Sequence, residues 1–418
     1  MKLNISDYRR SAKGRLPRFV FDYIDGAAED ESCAQRNRSD FDRVSIVPRM
    51  LRDLTRIDPS IELFGDTWRQ PFGIAPTGFN GFVHPQGDLM LARAAAASGI
   101  PFVLSTASNM RLEAVRQPDG LDWFQLYVLS ERSVAEQMVR RAKKVGYRAL
   151  VLTVDVPVSG MRERDVRNCF RLPFRPGPAM LFDLCRHPLW LARQIAVGGP
   201  GFVNLVEQEG PVPAAVGAAA LTRDMDRSLT WESLAWLRRL WDGPLLVKGL
   251  LHPDDARLAL AQGVDGIIVS NHGGRQLDAA PSSISALPAI VDAVADRIPV
   301  LLDSGIRRGS DVAKALALGA RAVLIGRATL YGLASGGEAG ARSVIDLLAA
   351  ELARVLTLCG VAKAAALDRS ALADVRFPRA ALPLADASQR PARAAGSGQI
   401  MRTGQLLAAA EAVADERC

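Results

Sequence analysis

Four histidines occur in the 418-residue chain, and three of them, His84, His187 and His252, each stand before a proline in segments that read as loops. His272 differs. It ends an apolar run in the string Ser270-Asn271-His272-Gly273-Gly274-Arg275. A neutral imidazole in such a place can take a hydroxyl proton near neutral pH. Asp155 closes another apolar run and is the residue type that would orient the ring and stabilise the imidazolium; a strand-end salt bridge is its competing reading. Arg275 and Arg162 suit the clamping of a carboxylate, because the guanidinium fork matches two carboxylate oxygens. Arg162 lies in MRERD, however, where a solvated charge run is the alternative. Lys248 sits in LLVKGLL, so its ammonium is nearly buried and requires an anionic partner. A structural carboxylate would satisfy it, and so would a negatively charged ligand.

These residues need a scaffold that brings strand ends together. From residue 72 the chain alternates short apolar runs with Ala/Leu-rich helical ones. The strand-like runs are Phe72–Gly78, Phe102–Thr106, Asp122–Val128, Ala149–Val156, Pro244–Leu250, Gly266–Asn271, Pro299–Gly305 and Ala322–Arg327. Helices are expected at Asp88–Ser98, Ser133–Val145, Pro253–Gln262, Ser285–Ala295 and Ser310–Leu318, with another near Trp231–Trp241. Continuous apolarity is what a parallel sheet buried on both faces requires. Repeated βα units of this kind predict a closed (β/α)8 TIM barrel, an α/β fold whose reactive groups lie at the C-terminal strand ends. That rule selects Pro76, Thr77, Gly78, Ser105, Thr106, Gln125, Tyr127, Thr153, Asp155, Lys248, Ser270 and His272. It also selects Asp303, Gly305 and Arg307 after the seventh run and Gly326 and Arg327 after the eighth, where barrels often hold phosphate. Glycines there let backbone N–H groups approach an anion, although ordinary turns use them too. No G-x-G-x-x-G follows a strand and no G-x-x-x-x-G-K-[ST] occurs, so neither a Rossmann nucleotide site nor a P-loop is supported.

Three segments lie outside the βα alternation. Residues 1–71 read as a small helical cap. The long stretch after the fourth strand, about 171–228, reads as an insert. Within it Pro178–Val206 is apolar with Arg186, His187 and Arg193 interspersed, and has two readings. It is a lid over the barrel mouth, or a segment lying in a membrane interface with its cations on anionic lipid. The barrel unit is expected to span 1–367, and the Ala/Arg/Pro-rich end, 368–418, to be a flexible extension.

Composition bounds the function. Net charge is +7 and the pI about 9.4, but the basic residues are scattered and aromatics make up only 6%, which argues against a nucleic-acid stacking platform. The five cysteines form no C-x-x-C pair and are odd in number, which argues against a disulfide framework or zinc site and for a reducing compartment. The N-terminal residues carry no signal-peptide pattern, and no run reaches the ~18 apolar residues of a membrane span. The expected location is cytoplasmic, with peripheral contact to the inner face of the cell membrane if the insert is interfacial.

The run SNHGGRQLD, Ser270–Asp278, resembles the signature of the FMN-dependent 2-hydroxy acid dehydrogenases and oxidases. The resemblance extends from about Asp7 to Gly360 through LPRFVFDYIDGAAED, APTG, WFQLYV, LTVDVP, RERD, LLVKG, DSGIRRGSDVAKALALGA and IGRATLYGLA. STASNM, RERD and the apolar insert are most similar to the (S)-mandelate dehydrogenase branch, WDGP and ALPAI to the bacterial L-lactate dehydrogenase branch. The resemblance implies FMN as cofactor, a small 2-hydroxy acid as substrate, a 2-oxo acid as product and a homo-oligomer, typically a tetramer. It implies that Tyr23 and Tyr127 contact substrate, that Arg162 and Arg275 hold its carboxylate, and that His272 takes the hydroxyl proton with help from Asp155. Lys248 would face flavin N1. Pro76, Thr77, Gly78, Ser105, Gln125, Thr153 and Ser270 would line the flavin, with Asp303, Gly305, Arg307, Gly326 and Arg327 at its ribityl-phosphate end. Glycolate oxidases carry tryptophan at the place of Ala107 and leucine at that of Ser159, so the pocket here is expected to be larger and to favour a mandelate-like aromatic acid over L-lactate. Gly78, where oxidases often have alanine, is compatible with a quinone or other membrane acceptor rather than O2. The rival readings are a hydroxy-acid oxidase using O2, an FMN-barrel isomerase or synthase, and a non-enzymatic basic barrel that binds a membrane or nucleic acid; the joint presence of Tyr23, Tyr127, Arg162, His272 and Arg275 argues against the isomerase or synthase.

Overall fold

The computed structural model describes residues 1–170, 177–197, 201, 203, 204, 225–373, 375 and 377. Eight parallel strands form the barrel: β3 (Phe72–Ile74), β4 (Val103–Ser105), β5 (Trp123–Leu126), β6 (Leu150–Thr153), β7 (Leu245–Leu250), β8 (Gly266–Val269), β9 (Val300–Leu302) and β10 (Ala322–Ile325). They pair in the order β3-β10-β9-β8-β7-β6-β5-β4, and the Ile74–Phe102 bridge brings the two ends together. The expected TIM barrel is therefore observed. Each strand is shorter than its apolar run because the last residues leave the ladder to line the mouth. Almost every strand residue is buried, as the absence of polar alternation demands. The expected helices appear as Gly87–Ser98, Arg132–Lys144, Ser233–Leu240, Pro253–Ala261, Ser283–Val294 and Gly309–Ala317. The alternation did not single out the 32-residue helix Arg327–Leu358, kinked at Gly336-Gly337, which packs along Gly87–Ser98.

The helical cap expected over 1–71 is present, and a hairpin that was not expected follows it. Three helices, Ile5–Lys13, Arg18–Asp25 and Ser32–Asp42, are followed by an antiparallel hairpin, β1 (Ile61–Leu63) and β2 (Asp66–Trp68). Its signal is the period-2 burial of Ile61-Glu62-Leu63 around a Phe64-Gly65 turn with positive φ at both positions. Ile61, Leu63 and Trp68 enter one core with Ala75, Val103, Trp123, Ala149, Val151, Leu246, Ile268, Leu301, Ala322 and Leu324. The hairpin thus floors the barrel at its N-terminal end. Trp68 meets Trp123 edge-on, ring centroids 5.3 Å apart, and both are fully buried.

The described part of the insert holds two helices, Pro178–Cys185 and Pro188–Ala196, each with proline in its first turn. One side is docked. Trp190 Nε1 donates to the Phe82 carbonyl (2.7 Å), Gln194 Nε2 to the Gly81 carbonyl (2.8 Å), and Asp183 accepts from the Arg18 N–H (2.6 Å). On the other side Leu181, Phe182, Leu189, Ile195 and Val197 are exposed, Leu189 to 76%. Residues 171–176, 198–200, 202 and 205–224 of the insert lie outside the described set. At the other end the compact unit runs Met1–Val375, eight residues past the expected boundary at 367. The extra residues are held because Val47 N–H donates to the Ala371 carbonyl (2.8 Å) and Ala373 N–H to that of Ser45 (2.9 Å). The second unit, Arg376–Cys418, lies outside the described residues apart from Phe377, and so does the expectation that it is flexible. Cys33, Cys185 and Cys359 are free, and Cys169 lies on a left-handed turn after the helix Glu163–Arg167.

Candidate active site

At the C-terminal mouth of the barrel His272 stands between two partners. Its Nδ1 lies 2.9 Å from Asp155 Oδ1 and its Nε2 3.3 Å from the Tyr127 hydroxyl. The histidine adopts φ 58, and Phe79 and Ser304 beside it also have positive φ. Non-glycine residues in that region are held there by their surroundings, and such strain clusters at functional sites. Here the surroundings are explicit. Ser270 Oγ accepts from the His272 N–H (3.0 Å), and Ser304 Oγ accepts from the Gly273 N–H (3.0 Å). Burial alone would raise the Asp155 carboxyl, but His272 and then Lys248 attract its charge and bring it below the usual carboxylate range. Burial raises the Tyr127 phenol, and the Asp155 charge adds to that, so Tyr127 stays protonated and able to donate.

Lys248 projects from β7 and is 3% exposed. Its Nζ donates to Ser270 Oγ (2.8 Å) and lies 3.1 Å from Asp303 Oδ2. Of the two partners left open for it, a structural carboxylate is present. Burial pulls its pKa down, but Asp303 and Asp155 more than offset this and raise it, so the ammonium stays charged. Asp303 in turn accepts from Ser304 Oγ (2.8 Å), which joins the ends of β7, β8 and β9 in one polar network.

The arginines carry more positive charge than their neighbours cancel. Arg162 pairs with Asp165 (2.7 Å), so the solvated-run reading of MRERD fails for it. Arg275 lies over the Tyr23 ring, 4.9 Å from its centroid, and donates to the carbonyls of Tyr23 (2.6 Å) and Gly26 (3.0 Å). Burial, and next the charge of Arg162, push the Arg275 pKa down. Arg327, donating to the carbonyls of Ile24, Gly273 and Gly26, falls to about 10 through burial and then Arg275. Among the described residues Arg275 and Arg327 are bonded to main-chain carbonyls and to no carboxylate, and an anionic ligand would supply the missing counter-charge.

A single cavity brings most of the expected residues together. Tyr23, Pro76, Thr77, Gly78, Ser105, Tyr127, Arg162, Lys248, His272, Arg275, Asp303, Gly305, Arg307, Gly326 and Arg327 all line it, together with Ala107 and Ser159. Asp155, Gln125, Thr153 and Ser270 stand one layer behind: Gln125 Oε1 accepts from Ser105 Oγ (2.9 Å), and Thr153 neighbours Lys248 across β6 and β7. A methyl added at Gly78 would come 2.7 Å from the Ala107 side chain, so the lack of one at 78 and the small residue at 107 belong to one space. The sequence reading missed Met225, Phe79, Val156 and Gln276 in the lining. Met225 had no local signal. It returns from the far end of the insert and is placed by the Leu129–Met225 bridge and an Arg132–Asp226 ion pair (3.0 Å). Gln276 could have been taken from its position beside Arg275.

Thr77 Oγ1, Gln125 Nε2 and Thr153 Oγ1 are buried with no hydrogen-bond partner among the described residues. Unpaired buried polar groups are rare in folded proteins and mark an absent partner. All three lie at or just behind the strand ends that line the cavity, where a polar heterocycle would satisfy them, and Arg327, bonded only to main-chain carbonyls, suits a phosphate, so the residues present fit FMN.

A parallel α/β barrel with unpaired polar groups and surplus arginines at one mouth is built to hold an anionic ligand there. Comparison with known proteins gives the family. A model of the FMN-dependent dehydrogenases matches residues 12–374, and the chain belongs to that family. It is 49% identical over 358 residues to the (S)-mandelate dehydrogenase of Pseudomonas putida, covering 85% of this chain and 90% of that one. It is 43% identical over 384 residues to an L-lactate dehydrogenase of Caulobacter vibrioides, covering 90% and 98%. A crystal structure described as the monotopic membrane protein (S)-mandelate dehydrogenase superposes with a TM-score of 0.85 at 47% identity, covering 89% of this chain and 99% of that one. The protein is thus an FMN-dependent 2-hydroxy acid dehydrogenase. Among the described residues no helix is long and apolar enough to cross a membrane.

Proposed function

We propose that the enzyme oxidises an L-(S)-2-hydroxy acid with an aromatic, mandelate-like side chain, in preference to L-lactate, and passes the electrons to a quinone or other membrane acceptor. The observation that carries the reading is the His272–Asp155 pair, with the hydroxyl of Tyr127 beside it, facing two arginines across one cavity. In this reading Arg162 and Arg275 hold the substrate carboxylate, which supplies the counter-charge that Arg275, bonded only to main-chain carbonyls, lacks. The 2-hydroxyl then lies against His272 Nε2, which takes its proton while Asp155 stabilises the imidazolium at Nδ1. Tyr23 and Tyr127 orient the substrate with their hydroxyls. Bound FMN supplies the two-electron acceptor for the hydrogen leaving C2. Pro76, Thr77, Gly78, Ser105, Gln125, Thr153 and Ser270 would hold its ring and Lys248 its N1 side, with Asp303, Gly305, Arg307, Gly326 and Arg327 at the phosphate.

The aromatic preference rests on Ala107 and Ser159, both small and both in the lining. The membrane acceptor rests on the insert, whose exposed Leu181, Phe182, Leu189 and Ile195 accompany Arg186 and Arg193 in the manner of an interfacial segment. Lid and interfacial segment are then two sides of one element, since its inner side is docked on Phe82 and Gly81. The protein would act peripherally on the inner face of the cell membrane, as a homotetramer. Anaerobic bleaching of the flavin band is the test, with (S)-mandelate, L-lactate and glycolate added separately and the R enantiomers as controls. Fast bleaching by (S)-mandelate is expected. Fast bleaching by lactate alone would overturn the substrate preference, and none by any of them would overturn the reaction class. Rapid reoxidation of the reduced flavin by O2 would overturn the membrane acceptor.

A further inference from the structure

His272, Asp155 and the two arginines proposed to hold the substrate carboxylate sit on two separate arms. One is the turn after β8 that carries His272 and Arg275. The other is the irregular segment after β6 that carries Asp155, Ser159 and Arg162. An irregular segment has no ladder to fix its distance from a neighbour. Besides the His272–Asp155 bond itself, the Gln276 side chain spans the two. Gln276 Nε2 donates to the carbonyls of Asp155 (3.0 Å) and Val158 (2.9 Å), and Gln276 Oε1 accepts from the Gly160 N–H (3.2 Å). Both donor hydrogens and the acceptor go to the main chain of the other arm. The orientation of the amide is fixed by chemistry, since only the oxygen can face an N–H and only the nitrogen can face two carbonyls. The packing agrees. A Cβ at Gly160 would fall 2.3 Å from the Arg275 carbonyl and 2.8 Å from Gln276 Cα, so the arms are in contact at that glycine.

We infer that Gln276 is a positioning residue, which sets the Asp155 arm against the His272–Arg275 arm and so fixes both the Asp155–His272 contact and the spacing of Arg162 from Arg275. The inference rests on the reading of the site given above. An error of about 1 Å in such an arrangement costs about 10²-fold in rate. Gln276→Met keeps length and volume but removes all three hydrogen bonds. Gln276→Glu keeps the acceptor and turns both donor contacts into repulsion between oxygens.

The experiment uses the flavin-loaded enzyme and its Gln276→Met, Gln276→Glu and His272→Gln variants. Flavin content and melting temperature are measured first, then kcat/KM against pH and the equilibrium binding of oxalate, an unreactive dicarboxylate followed through the flavin spectrum. Gln276→Met is expected to keep its flavin, lose about 10- to 100-fold in kcat/KM and bind oxalate at least several-fold more weakly. The shape of its pH profile is expected to differ from wild type, because the Asp155–His272 contact is disturbed. Gln276→Glu is expected to be worse than Gln276→Met at every pH above the carboxylate range. A melting temperature that falls while the pH profile and oxalate affinity stay at wild-type values would reduce Gln276 to a structural residue and overturn the inference. So would wild-type behaviour in both Gln276 variants. If His272→Gln retained wild-type activity, the reading of the site itself would fail, and the two failures are thereby told apart.

Discussion

Replacing Asp155 by asparagine changes one atom and removes one charge. Asp155 Oδ1 lies 2.9 Å from His272 Nδ1, and Oδ2 is buried with no partner among the described residues. At that separation, with an effective dielectric near 20, the attraction of carboxylate for imidazolium is roughly 5–6 kcal/mol. Part of it survives as a neutral hydrogen bond, worth about 1 kcal/mol. A loss of about 3–5 kcal/mol, felt only once the ring is protonated, corresponds to a two- to four-order-of-magnitude fall in the rate of flavin reduction. The main-chain carbonyl of Asp155 still accepts from Gln276, so the arm stays in place. Single-turnover anaerobic reduction by (S)-mandelate measures the step directly. Full flavin content and unchanged substrate affinity with a reduction rate within tenfold of wild type would refute the assignment of Asp155 as the group that stabilises the ring.

Three further outcomes are expected. Ala107→Trp fills the space between Gly78 and Ser159, and kcat/KM for (S)-mandelate should fall by more than tenfold while that for L-lactate changes by a few-fold; equal losses for both acids would show that residue 107 does not face the substrate side chain. Phe182→Asp with Leu189→Asp should abolish co-sedimentation with anionic vesicles and leave turnover with a soluble dye unchanged; retained sedimentation would remove the insert from the membrane contact. Asp88→Asn tests a buried carboxyl held by Ser108 (2.7 Å) and Asn80 (2.7 Å) with no cation beside it, and pushed up to about 6 by burial. A raised carboxyl pKa destabilises only where the group must ionise. The cost is therefore absent below about pH 4, grows towards pH 6 and is complete above it, on the order of 3 kcal/mol. The variant should gain melting temperature over wild type at pH 8 and lose most of that advantage at pH 4.5; an advantage independent of pH would contradict the sign.

The barrel was legible because parallel strands buried on both faces leave unbroken apolar runs, and the candidate site because strand ends carried side chains able to do chemistry. His272 stood out by its place at a strand end and by Arg275 three residues on. What escaped the sequence depended on contacts between distant segments. The hairpin Ile61–Trp68 offers three-residue strands whose alternation is too short to stand out, and its burial is decided by a core that the following strands supply. Met225 reaches the cavity only because the far end of the insert pairs with Leu129. The Lys248–Asp303 pair could not be foreseen in either sequence neighbourhood, since β7 and β9 each present a charge that only the closed barrel brings within 3.1 Å.

The floor of the barrel has a consequence for how the chain is made. β1 and β2 leave the ribosome before any barrel strand, yet the cavity they plug exists only once β10 has paired with β3, some 250 positions later in the sequence. Through that interval Ile61, Leu63 and Trp68 have no core to enter. The cork is finished first and the bottle last. Newly synthesised chains therefore pass through a period with a sticky, unpaired hairpin on display, and conditions that slow synthesis of the second half should be those in which the protein is lost to aggregation.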